Sequence, residues 1–120
     1  MIHVIATIEI CPGERDAFLR EFETLKAKVM GEDGCIEYGA AIGVDLDLAQ
    51  GGDYAWASAV SNAVVIIEKW SSMETWKAHV FAPHMDTYRA RTKDLVIARN
   101  VQVLAPVTAT VAPSAVLWSR

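Results

Sequence analysis

The chain has 120 residues, 52% hydrophobic and 22% charged, which fits one globular domain with a single core and excludes a disordered chain. Its formal net charge is −4 with both signs interspersed and no basic cluster, so nucleic acid is not an expected partner. No apolar run approaches a membrane span, Glu9 and Glu14 interrupt any signal-peptide pattern, and Cys11 and Cys35 fit neither a disulfide framework nor a zinc spacing; the expected location is cytoplasmic.

In chain order, residues 2–10 alternate, with Ile2, Val4, Ala6, Ile8 and Ile10 forming one apolar face of a strand that Pro12-Gly13 ends. Residues 14–30 change period: Phe18, Phe22, Leu25 and Val29 draw a helical stripe, acids gather early and lysines late, and Asp33-Gly34 closes the helix. Residues 35–44 read as a second strand with Ile36 and Tyr38 on one face and Glu37 on the other, and residues 45–63, carrying Gly51-Gly52, Tyr54 and Trp56, as a long loop. Residues 64–70 form a third strand. Ser71 and Glu74 are the expected capping box of a short helix through Met73, Trp76 and His79, and Pro83 suits the first turn of another helix over 83–93. Residues 99–104 are the fourth strand, and 106–120 an extended tail that lies on a partner.

The order β-α-β-β-α-α-β predicts an α+β, ferredoxin-like subunit over residues 1–107 with an extension at 108–120. Helices on one side of a four-stranded sheet leave its other face bare, and the mean hydropathy of +0.22 is high for a small monomer. Two copies packed through that face, a dimeric α+β barrel, meet both points.

Several side chains carry candidate chemistry. Glu68 and Trp70 share a strand face with Val64 and Ile66, so Glu68 sits in an apolar stripe and needs a partner or a raised pKa. His79 on the next helix is the expected partner: the pair is either an acid–base couple or a buried clamp tying strand to helix. Trp70 either stacks on a flat ring or belongs to the core, with Trp76 and Ile66 as further wall residues. Tyr38, beside Ile36, either donates to a phenolic or carbonyl oxygen or keeps a wet hydroxyl on a core ring. His84, at a helix start, is a base, a ligand-binding group or a helix-end hydrogen-bond partner. His3 is expected exposed or at the dimer seam, and Arg89 and Arg91 in solvent or across the dimer. His79 and His84 lie five apart across a proline, a spacing without a metal signature even with Glu68 added, so no metal is expected. No nucleophile motif, phosphate loop or dinucleotide fingerprint appears, which argues against hydrolysis and hydride transfer.

Six segments together resemble one known family: Pro12-Gly13-Glu14, Gly34-Cys35-Ile36-Glu37-Tyr38, Glu68-Lys69-Trp70-Ser71-Ser72, Lys77-Ala78-His79, Ala82-Pro83-His84 and Leu104-Ala105-Pro106-Val107. In this order they resemble the antibiotic biosynthesis monooxygenase family, across residues 2–107. The resemblance implies a ferredoxin-like subunit that dimerises through its sheet, its last strand exchanging contacts with the partner. It also implies one pocket per subunit between sheet and helices, and oxygenase chemistry without metal, flavin or haem. Trp70 matches a tryptophan of the anthrone oxygenase site. Haem-degrading relatives use an asparagine in the first strand where this chain has Ala6-Thr7, so haem is not expected. The long 45–63 segment and the tail depart from the family pattern and leave the substrate open. The expected activity is cofactor-independent oxidation of a quinol or anthrone-like phenol by dioxygen. The alternatives are a non-catalytic barrel holding a small aromatic or apolar molecule, and an isomerase on the same fold.

Overall fold

Alternation in the first strand becomes one wall of the core. In the computed structural model, which describes residues 1–44 and 62–107, β1 (Ile2–Ile10) buries Ile2, Val4, Ala6, Ile8 and Ile10 and turns the intervening side chains outward. Helix α1 (Arg15–Val29) lays Phe18, Phe22, Leu25 and Val29 against that wall, the stripe its sequence spacing requires. Next come β2 (Cys35–Ala41), β3 (Ala63–Trp70), α2 (Met73–Val80), α3 (Pro83–Thr92), a 3-10 turn (Lys93–Leu95) and β4 (Val96–Leu104). The strands form one antiparallel sheet in the order β2-β3-β1-β4, the ferredoxin-like arrangement expected from the element order.

The sheet is two-faced. Val4 lies in register with Glu68 and Val103, Ala6 with Ile66 and Val101, and Ile8 with Val64 and Arg99, so these residues share the helix-covered face. The opposite face carries Ile5 opposite Ile67 and Gln102, Thr7 opposite Val65 and Asn100, and His3 opposite Lys69 and Leu104. It has no covering layer among the described residues, and Ile67 and Leu104 are exposed.

Four local expectations are corrected. Strand β2 ends at Ala41 rather than 44, and β4 begins at Val96 rather than 99, because Cys11 N–H donates to Leu95 O at 2.9 Å and brings the chain into the ladder early. Ile36 and Tyr38 do not share a face. A register shift between Cys35 and Glu37 breaks the alternation, leaving Ile36 and Glu37 exposed while Tyr38 is buried. The capping box is Ser72 with Thr75, not Ser71 with Glu74: Ser72 Oγ accepts from Thr75 N–H at 3.2 Å, and Thr75 Oγ1 accepts from Ser72 N–H at 3.3 Å. Residues 45–61 of the expected long loop, with Tyr54 and Trp56, and the extension 108–120 lie outside the described residues; Ala63 already belongs to β3.

Gly34 joins the turn after α1 to the start of α2. Its φ is +81°, and an added Cβ would stand 2.5 Å from Thr75 Cβ and Cγ2. Gly34→Ala therefore meets both a left-handed backbone penalty and an overpacked helix start, and chemical denaturation is expected to show a loss of about 2–4 kcal/mol.

Candidate active site

Between the covered face of the sheet and the helices lies a cavity of about 320 Å3. That volume lies at the lower end of the small-molecule site range of about 300–1,000 Å3. Its walls are mainly apolar: Val4, Ala6 and Ile8 from β1, Ile66 from β3, Phe18 from α1, and Trp76 and Met85 from α2 and α3. Tyr38, Tyr88, Glu68, His79, Arg89 and Arg99 supply the main polar atoms.

Strand alternation brings Glu68 into this wall, where it is 6% exposed. Burial, aided by the charge of Glu32, pushes its pKa up to about 7; a hydrogen bond from Trp70 Nε1 to Glu68 Oε1, 3.0 Å long, opposes the shift. Glu68 therefore exchanges its proton near neutrality.

The Ser72–Thr75 cap fixes the start of α2 and with it the helix face that turns His79 inward, where it is 2% exposed. His79 Nδ1 lies 3.0 Å from Glu32 Oε2, and His84 Nε2 lies 2.7 Å from the same oxygen. Because a carboxylate oxygen accepts, both imidazoles donate to it, and His79 is held with its proton on Nδ1. Burial lowers the His79 pKa and outweighs the hydrogen bond to Glu32, which favours the neutral ring. His79 Nε2 faces Glu68 Oε1 across 3.8 Å, too far for a hydrogen bond, and its lone pair stays open. Trp70 and Tyr38 grip the ring at centroid distances of 4.7 Å and 5.3 Å. Tyr38 itself stacks on Phe22 at 5.3 Å, and burial raises its pKa so that the hydroxyl remains protonated.

Of the expected site residues, Glu68, His79, Tyr38, Trp76 and Ile66 converge on the cavity. Trp70 stands behind the wall, fully buried, its indole committed to Glu68 and the His79 ring, so its face is not offered to a ligand. His84 meets His79 through Glu32 and lies outside the lining, and Ile36 is on the exposed side of its bulge. His79 and Glu68 come together, but the hydrogen-bond partner of His79 is Glu32. Arg89 differs from expectation, lining the cavity and donating to Val80 O at 2.8 Å, whereas Arg91 is exposed, as expected, and pairs with Glu21 at 2.6 Å. His3 is half-buried on the uncovered sheet face.

Glu32 is the main residue sequence reasoning missed. It sits in the tight turn after α1, its N–H donating to Val29 O at 2.9 Å and its carbonyl accepting from Cys35 N–H at 3.3 Å. An acidic turn residue carries no periodic signal. Tyr88 was also missed, although Met85, Tyr88 and Thr92 fall at i, i+3 and i+7 on one face of α3.

This sheet order, with helices over one face, is that of a ferredoxin-like α+β subunit. The chain belongs to the antibiotic biosynthesis monooxygenase family, whose model matches residues 1–91. It is 33% identical over 108 residues to the probable quinol monooxygenase YgiN of Escherichia coli K12, covering 88% of this chain and 98% of that one. Among solved structures it is similar to Rv0793 of Mycobacterium tuberculosis, at 25% identity and a TM-score of 0.68 over 89% of this chain and 95% of that one. A conserved protein of Methanosarcina mazei shares the fold at 16% identity, with a TM-score of 0.71 over 88% and 92% of the two chains.

Proposed function

We propose that this chain is a monooxygenase that oxidises an electron-rich aromatic, a quinol or anthrone-like phenol, with dioxygen. The observation that carries the reading is the His79 imidazole, held through Nδ1 by Glu32 with Nε2 free of a hydrogen bond beside an apolar cavity. The 33% identity to a probable quinol monooxygenase supports the same chemistry. In this reading His79 Nε2 takes the phenolic or α-carbon proton, and Glu68 in its protonated form hydrogen-bonds the substrate oxygen. The anion passes one electron to dioxygen, the radicals recombine to a hydroperoxide, and loss of water leaves one oxygen on the ring. The substrate loses two hydrogens and gains one oxygen atom; the other oxygen leaves as water. Exclusion of water by the apolar walls protects the intermediates, and the reaction proceeds without metal, flavin or haem.

The uncovered sheet face, with Ile5, Val65, Ile67 and Leu104 on it, is proposed as the contact between two copies of the chain. The experiment is oxygen uptake by chelator-treated protein with a naphthoquinol. Uptake above the buffer rate, with one hydroxyl added to the quinone product, is the expected result. No acceleration, or a rate that appears only with added metal, contradicts the reading. Turnover unaffected by removing oxygen would move the chain to an isomerase.

A further inference from the structure

The cavity does not end in apolar wall. At its β4 edge it shares Arg89, Val96 and Arg99 with an open groove of about 510 Å3, whose remaining lining includes Lys93, Ala90, Ile97 and Ala98. Among the described residues three cations and no acid line this groove, in a chain whose net charge is −4. Among the described residues Arg99 forms no ion pair, while Arg89 is steadied by Val80 O at 2.8 Å and Asp86 Oδ1 at 3.3 Å. Both guanidiniums act electrostatically on the Tyr88 phenol, as does Glu68.

The register gives the distance to the acid–imidazole end. Glu68 is level with Val103 on β4, and Arg99 lies four residues further along, two strands away from β3. At strand dimensions the two Cα positions are on the order of 15 Å apart. By backbone register Arg99 is thus set apart from Glu68, whereas Arg89, bonded to Val80 O, acts on His79 itself. A negative group on a ligand is attracted by Arg99, which directs the opposite end of the ligand toward Glu68 and His79.

We propose that Arg99, Arg89 and Lys93 form an anion-binding vestibule, and that the ligand is a hydroxylated aromatic bearing a carboxylate on the side remote from the reacting hydroxyl. This rests on the reading of the cavity as a site for an electron-rich aromatic, and names the substrate class within it.

The test is calorimetric binding of three stable probes: 6-hydroxy-2-naphthoate, its methyl ester, and 2-naphthyl phosphate. Wild type and Arg99→Gln are compared at low and high salt, with sedimentation run on both proteins. Arg99 is exposed on an edge strand, so the variant is expected to fold. The acid should bind at least about tenfold more tightly than the ester, and R99Q should erase that preference by weakening the acid far more than the ester. Salt should weaken the acid only. Equal binding of acid and ester overturns the vestibule and spares the cavity reading; failure of all three probes to bind overturns both. Tighter binding of the phosphate ester than of the carboxylate overturns the carboxylate assignment. A change of oligomeric state in R99Q, without loss of acid preference, assigns the groove to a second copy instead.

Discussion

His79→Ala is expected to lower quinol turnover by about 10²- to 10⁴-fold, the range set by loss of a positioned general base. The variant removes the one imidazole in the cavity wall but leaves Glu32 paired with His84 and Trp70 bonded to Glu68. The wild-type rate should rise with pH below the ordinary imidazole range, because burial lowers the His79 pKa and the ring acts only when neutral. That limb should vanish in H79A, and added imidazole should restore part of the rate. If His79 were only a clamp between α2 and the turn after α1, unfolding would shift to lower denaturant while the pH limb and the turnover remained.

Glu68→Gln is expected to stabilise the protein at alkaline pH by about 3 kcal/mol, the free energy of moving a carboxyl from 4.5 to about 7. A carboxyl whose folded pKa is raised binds more protons in the native state. Its contribution is fully present below 4.5 and is lost as pH rises through about 7, above which the buried ionised form carries its whole desolvation cost. The amide is free of that cost and can still accept from Trp70 Nε1. Urea unfolding at pH 5 and pH 8 should show a difference between variant and wild type that is small at the lower pH and near its maximum at the higher. A difference independent of pH would mean that Glu68 ionises normally. Loss of turnover in this stabler variant would mark Glu68 as a group whose cost to the fold is retained for chemistry.

Much of this was legible from periodicity. The alternation of β1 and the four-position stripe of α1 specify two faces of the core, and element order alone yields the ferredoxin-like arrangement. Glu68, His79, Tyr38, Trp76 and Ile66 were also legible as wall residues, because their faces follow from strand and helix periods. What failed was whatever depends on a single-residue offset or on a distant partner. The shift at Cys35–Glu37 separates Ile36 from Tyr38, and Ser71 and Ser72 are equivalent caps until the backbone selects one. Trp70 reads as a ligand platform by its face, yet its indole N–H is committed to Glu68 and its ring to His79. Glu32 joins His79 and His84 across 47 and 52 residues of sequence, a convergence that no local pattern encodes. Arg89 reads as a surface charge because its reach into the cavity depends on packing α3 beside the edge strand β4.

Two-dimensional nitrogen-15 NMR of the imidazole rings at pH 7 tests the base itself. A His79 ring that is neutral, protonated at Nδ1 and bare at Nε2, reverting toward mixed tautomers in Glu32→Gln, is the expected spectrum. An imidazolium, or a ring protonated at Nε2, would leave His79 unable to take the substrate proton and contradict the account.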